Sequence, residues 1–465
     1  NKVTDILANV ATDVSYDGDA GELRKQTMDA LGSAGSRFRQ SIYRNGVGNS
    51  KTPITVSDCL PLIDQCLRHL DDCISQNRRP DGLFHTYNLI SINDDAVDRQ
   101  TLYEMLEGQV AAISSGAISN EICCDVLDSL RNSRLYRPDQ ESYVLYPDRE
   151  LSSFMDKNVV DPKQAQRSKL LQIMLENADP SIIEKDCDGR LRFNASFANV
   201  ECLDRALNEL QRNELQPDRD YYDLVAQERT VIAEIFEATF QHHSFTGRSG
   251  TFFAYEGLGS IYWHMVSKLS LAIIELQIQA TENGDLESAK KLHEHYMQVR
   301  EGLGLKKTPA HFGAFPTDPY SHTPSHAGAQ QPGMTGQVKE DVLSRMLELG
   351  VRIDAGMASF NPSLFEVEEF TKHETALNFI PCDVPGSRRA TDDSLPAGCF
   401  GWSWCQTPII YHQSSETKLE LTLADGSVVS KNVLSLSPEE TQQLFDRSGD
   451  ICKIDVYFQP SDFKN

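Results

Sequence analysis

Between residues 21 and 350, apolar side chains return every three to four positions, in segments that end at clusters of Pro, Gly, Asn or Asp. That rhythm predicts helices near 21–33, 57–75, 99–115, 119–132, 162–178, 199–213, 219–242, 257–282 and 286–301. Ser57 and Ser119 stand where an N-cap is expected, and Ile122 and Val126 follow Ser119 at helical spacing. The segment 257–280 is apolar nearly all round (Leu258, Ile261, Trp263, Met265, Val266, Leu269), which predicts a helix buried on most sides. Lys268 and Glu275 make it too polar to span a membrane. After Val351 the period changes to two, over 408–412, 418–423, 427–429 and 452–458, with an Asp425-Gly426 turn between the second and third. The expected chain is therefore mostly α: a helical body over 1–352, followed by an antiparallel β module over 353–465.

The helical rhythm fails conspicuously once, over 308–336. Pro309, Pro316, Pro319, Pro324 and Pro332 exclude helix and strand there. His311, Phe312, Phe315, Tyr320, His322 and His326 argue against disorder, so a functional loop is expected. The helical period resumes with Val338, Val342, Met346 and Leu349 on one face. Thr335 is then expected as an N-cap whose neighbouring amides suit an anion, although an ordinary capped helix has the same pattern.

Two other loops are rich in polar and aromatic residues. The loop at 77–88 gathers Arg79, Asp81, His85, Tyr87 and Asn88 around Gly82. In the loop at 242–257, Gly247 and Gly250 flank Arg248 and Ser249, so backbone amides and a guanidinium could converge on an oxyanion. Helices with rich loops at their ends suggest, by analogy, an (α/α)6 toroid. Singly, these signals have plainer explanations. Asp-Gly is standard turn chemistry, His264 and His295 read as core or surface residues, and Trp402 and Trp404 as core of the β module.

Composition narrows the partners. A net charge of -24 opposes binding to a nucleic-acid backbone or an anionic membrane surface. The eleven cysteines show no zinc-ligand spacing, so no metal is expected. Cys59, Cys66 and Cys73 recur every seven residues on one helix face, as small hydrophobes would. A reduced, cytoplasmic chain is expected.

In order and spacing, several stretches resemble the inverting glycoside phosphorylases, the cellobiose phosphorylase-like and β-oligoglucan phosphorylase group. Residues 105–116 (MLEGQVAAISSG) resemble its Gln-x-Trp-Ala-x-x-Ser-Gly helix, and Gly333-Met334-Thr335-Gly336 its Thr-Gly phosphate loop. Residues 250–256 (GTFFAYE) stand where the group has Gly-Gly-x-x-x-His, and Asp81-Gly82 fall where its catalytic aspartate motif lies. Phe360-Asn361-Pro362 leads into a β module, as in the group.

The resemblance covers roughly 77–460 and implies one general acid, Asp81. It implies phosphate binding by Arg248, Ser249, Gly250, Tyr255, Thr335 and Gly336. Arg79, His85, Tyr87, Asn88, Gln109, Glu256, His322 and Gln330 would hold sugar. Inorganic phosphate would be the co-substrate, with no cofactor, and the substrate a β-linked gluco-oligosaccharide. Tyr255 replaces the group's histidine and Glu256 lies beside it, which keeps an inverting hydrolase open, with Glu256 activating water. A noncatalytic carbohydrate-binding fragment is the other alternative. With nine or ten helices where a closed ring needs twelve, an incomplete toroid is expected, completed by a missing N-terminal portion or accompanied by a second copy.

Overall fold

The computed structural model describes residues 7, 20–48, 53–147, 153, 155–212, 221–240, 261–303, 322–323, 335–377 and 394–459. The chain forms two compact units, one of Asp148–Leu258 and one of Asn1–Pro147 with Gly259–Asn465. The first of these lies inside the stretch 1–352, which the sequence pattern alone treats as one helical region.

In the larger unit, α1 (Ala20–Asn45) and α2 (Val56–Gln76) precede a hairpin of β1 (Asn88–Ile92) and β2 (Val97–Thr101). The expected helix at 99–115 is therefore strand at its start, and α3 begins only at Leu106 (Leu106–Ser114). Asn93 makes the turn, its Oδ1 accepting from the amides of Asp95 and Ala96. The unit continues with α4 (Asn120–Arg131) and the short pair β3 (Tyr136–Arg137) and β4 (Ser142–Tyr143). Ser119 caps α4, accepting from Ile122 N. On α2 the N-cap is Thr55 in a capping box with Asp58, two residues before Ser57.

The smaller unit contains α5 (Pro162–Ala165), α6 (Lys169–Glu176), the hairpin β5 (Ile183–Lys185) and β6 (Leu191–Phe193), α7 (Val200–Gln211) and α8 (Tyr222–Phe240). The helix expected over 162–178 is two, and the carboxylate of Glu228 on α8 seals the start of the second. It accepts from Ser168 Oγ at 2.6 Å and from the amides of Leu170 at 2.9 Å and Lys169 at 3.2 Å. A separate core of Leu170, Met174, Phe193, Leu207, Ile232 and Phe236 holds this unit together.

Returning to the larger unit, β7 (Ile261–Tyr262) leads into α9 (Trp263–Glu282), then α10 (Leu286–Gly302), β8 (His322–Thr323) and α11 (Thr335–Glu348). As its all-round apolar pattern requires, α9 is buried along most of its length: Trp263, Val266, Leu269, Ile273 and Ile274 are inaccessible to solvent. It packs against α3, α10 and α11. His264 faces Glu340 near the starts of α9 and α11, and Glu282 at the end of α9 pairs with Arg352 just past α11, so these two helices run parallel.

The hairpin β9 (Val351–Asp354) and β10 (Met357–Phe360) follows, with the small pair β11 (Thr375–Ala376) and β12 (Ser394–Leu395). The main sheet contains β13 (Cys399–Trp404), β14 (Thr407–Gln413), β15 (Lys418–Leu423), β16 (Val428–Lys431) and β17 (Ile451–Phe458), in the order β13-β14-β17-β15-β16. It is mixed, not purely antiparallel as expected, because β14 and β17 are parallel. The connection between them is long enough for that crossover and contains α12 (Pro438–Asp446), a helix with a Ser437/Glu440 capping box. Trp402 and Trp404 pack on the sheet's core beside Tyr411, as expected of core residues.

Among the described residues no helix is long and apolar enough to cross a membrane, and no group of side chains could hold a metal.

Candidate active site

The chain from Arg78 to Phe84 is a tight turn. Arg79 N donates to Leu83 O, Gly82 N donates to Arg79 O, and Arg78 bridges to Phe84. Gly82 has φ +85°, and a Cβ there would lie 2.5 Å from Ser129 Oγ on α4, so both backbone and space require glycine. The turn holds Asp81 over Arg79 in a bidentate pair, with Nε–Oδ1 3.0 Å and Nη2–Oδ2 2.8 Å. Leu83 N also donates to Asp81 Oδ1 at 3.2 Å. Arg79 Nη2 reaches a second carboxylate, Glu104 Oε2, at 3.4 Å. Glu104 is buried and accepts from Arg134 Nη2 at 3.0 Å through its other oxygen.

A general acid needs a carboxyl that keeps its proton near neutral pH, which here predicts a raised pKa. The structure gives the opposite. The hydrogen bond from Arg79 holds the Asp81 carboxyl below its ordinary range, outweighing a smaller upward push from partial burial. The Asp81 side chain is 47% exposed, so burial desolvates it too little to overcome the guanidinium.

The other candidates in this loop have identifiable partners. Gln109 on α3 is wholly buried: its Oε1 accepts from Phe84 N at 2.8 Å, and its Nε2 donates to Phe84 O at 2.9 Å and Met105 O at 2.8 Å. It braces the loop. His85 Nδ1 donates to Leu102 O at 3.0 Å, and burial lowers the imidazole's pKa. Tyr87 OH donates to Glu107 Oε2 at 2.6 Å, and Asn88 Nδ2 donates to Asn77 Oδ1 at 3.3 Å.

A chain of contacts joins this loop to the starts of the central helices. Gln109 fixes Phe84 to α3, Leu106 N donates to Leu145 O, Val144 bridges to Ile261, and Tyr262 pairs with His322. His264, one residue into α9, faces Glu340 of α11, with Nε2–Oε1 3.7 Å. Its Nε2 is buried without a hydrogen bond, and burial, more than the nearby Lys268, lowers its pKa. Glu340 is itself buried.

Thr335 and Gly336 are the first residues of α11, which opens toward the same end as α9. His322 lies in β8 beside Tyr262. Arg248, Ser249, Gly250, Tyr255, Glu256 and Gln330 fall outside the described residues. Sequence reasoning did not single out Glu104, and treated His264 as a core or surface residue. The sequence signal for both was position: Glu104 stands two residues before α3, and His264 is the second residue of α9.

Comparison with known proteins finds a segment similar to a domain of glycoside phosphorylases. Residues 151–243 match the family model described as GH149 phosphorylase insertion domain 2. The matched stretch falls within the separately folded unit Asp148–Leu258. The match supports a link to the glycoside phosphorylase family GH149, without singling out the cellobiose phosphorylase-like group. No curated protein matches the chain.

Proposed function

We propose that the protein is an inverting glycoside phosphorylase acting on β-linked gluco-oligosaccharides. The match of residues 151–243 to a phosphorylase insertion domain is the observation that carries this reading. Asp81 would protonate the glycosidic oxygen. Phosphate held by Arg248, the Ser249 and Gly250 amides, Tyr255 and the start of α11 at Thr335 and Gly336 would attack the anomeric carbon from the opposite face. Phosphate already carries charge, so one protein carboxylate suffices.

Since Arg79 keeps Asp81 ionised in the free protein, bound sugar has to displace the guanidinium before Asp81 can carry a proton. Glu104, already within 3.4 Å of Arg79 Nη2, is the group that would receive it. The remaining polar residues of the loops (His85, Tyr87, Asn88, Glu256, His322 and Gln330) would line the sugar site, with Gln109 shaping it from behind. The helical body would be an (α/α) toroid.

The alternative is an inverting hydrolase, with Glu256 activating water. Phosphorus and proton NMR of the first product, taken before it equilibrates, separates these readings. An α-configured sugar 1-phosphate from a β-linked substrate is expected. A β-configured phosphate overturns inversion, and free sugar without any phosphate ester overturns phosphorolysis.

A further inference from the structure

The five-stranded sheet carries a cluster of reactive side chains that the proposed reaction does not use. Cys399 on β13 stands directly opposite His412 on β14, and His412 is paired in turn with Tyr457 on β17. Cys399 Sγ lies 3.2 Å from His412 Nδ1, and His412 Nε2 lies 2.8 Å from Asp455 Oδ1. The carboxylate can only accept, so Nε2 carries the proton and Nδ1 is left to accept from the thiol. Three features hold the imidazole in that orientation. Its ring stacks on Tyr457 at 4.3 Å and 10°, Asp455 is buried, and Lys453 Nζ fixes the other carboxylate oxygen at 2.9 Å.

Burial pushes the Asp455 carboxyl up, but the bonds from His412 and Lys453 outweigh it and keep it ionised below the usual range. Lys418, paired with Glu420, lies over the far side of the Tyr457 ring. Leu377, Leu395 and Ile410 pack with Cys399, and the Thr371 hydroxyl bonds its backbone N–H and carbonyl. This is the order nucleophile, base, orienting carboxylate that activates a thiol at the moment of attack.

We propose that Cys399 is a modification site for hydroperoxides, with His412 as its base and Asp455 as the positioning residue. The Cys399 sulfur attacks the terminal peroxide oxygen as its proton passes to His412 Nδ1. The S–O bond forms and the O–O bond breaks. The departing oxygen takes the proton back from His412, leaving a sulfenic acid and an alcohol, or water from hydrogen peroxide. Sulfur is oxidised and the peroxide reduced, with no further reactant. Cys399 is only 5% exposed, but the His412 side chain is 20% exposed, and hydrogen peroxide is little larger than water. Burial, with a smaller push from Asp455, keeps the resting thiol protonated, so its reactivity depends on the base and not on a standing thiolate.

Cys123 and Cys124 are the internal controls: both are buried on α4, with thiols pushed up to about 12 and about 11, chiefly by burial. The protein is treated with hydrogen peroxide in the presence of a dimedone trap, and each cysteine peptide is followed by mass spectrometry across pH. Trapping at Cys399 is expected to run at least about tenfold faster than at Cys123 or Cys124. Its rate should level off with rising pH while theirs continues to climb. His412→Gln should bring Cys399 down to the Cys123 rate, with Asp455→Asn in between. Cys399 reacting no faster than Cys123 in the unsubstituted protein overturns the proposal. A Cys399 rate unchanged by His412→Gln overturns it as well. If His412→Gln loosens the sheet, the rank order and pH profile of the unsubstituted protein decide.

Discussion

Arg79 has two carboxylates within reach, and its choice between them sets the chemistry open to Asp81. Paired as in this structure, Asp81 is a poor proton donor, because the guanidinium stabilises the charged form. Replacing Arg79 with Met removes that stabilisation and raises the Asp81 pKa. A general acid works only while protonated, so activity is lost as pH rises through its pKa. Arg79→Met should therefore move the alkaline limb of the pH–rate profile to higher pH. If Asp81 were instead a base, the same substitution would move the acid limb upward. Asp81→Asn keeps the shape without the proton, and activity should fall by roughly 10²- to 10⁴-fold while the fold survives. Unchanged turnover in Asp81→Asn removes the residue from the mechanism.

Gly350 ends α11 with φ +74°, and a Cβ there would lie 2.0 Å from the carbonyl carbon and oxygen of Asn361. Asn361 N donates to Gly350 O at 2.7 Å, so the close approach is also a hydrogen bond that turns the chain into the β hairpin. Gly350→Ala combines a left-handed backbone penalty of about 1–2 kcal/mol with that clash. A loss of at least about 2 kcal/mol is expected in urea unfolding, and an unchanged midpoint would contradict the contact. At this scale the sequence was legible where one local signal sufficed. The all-round apolar run gave α9, and alternation gave β15 and β17. It was misleading where a polar turn joined short strands: the helical reading of 99–115 took in the end of β2, which pairs with β1 across the Asn93-Asp94-Asp95 turn. Cys59, Cys66 and Cys73 do share α2, but all three are exposed, since the seven-residue repeat fixes a face and not what covers it. The parallel pairing of β14 with β17 had no local signal, because register between distant strands depends on the crossover between them.

At the scale of the whole molecule, the unit Asp148–Leu258 was not legible, because helices of the same period lie on both sides of it and no change of composition marks its edges. Its core and its family match define it, and the match also gives the strongest reason to expect phosphorolysis. Of the three loops that the sequence marks, only 77–88 lies fully within the described residues. What the sequence could not supply was the ionisation state of Asp81, which depends on how the turn folds Arg79 back onto it. The central claim is that orthophosphate is the nucleophile. The direct test is to incubate the protein with β-linked gluco-oligosaccharides, with and without orthophosphate, and quantify sugar 1-phosphate and free sugar by chromatography. The account predicts that sugar 1-phosphate forms only with orthophosphate and that substrate is not consumed in its absence; free glucose released at full rate without phosphate would contradict it.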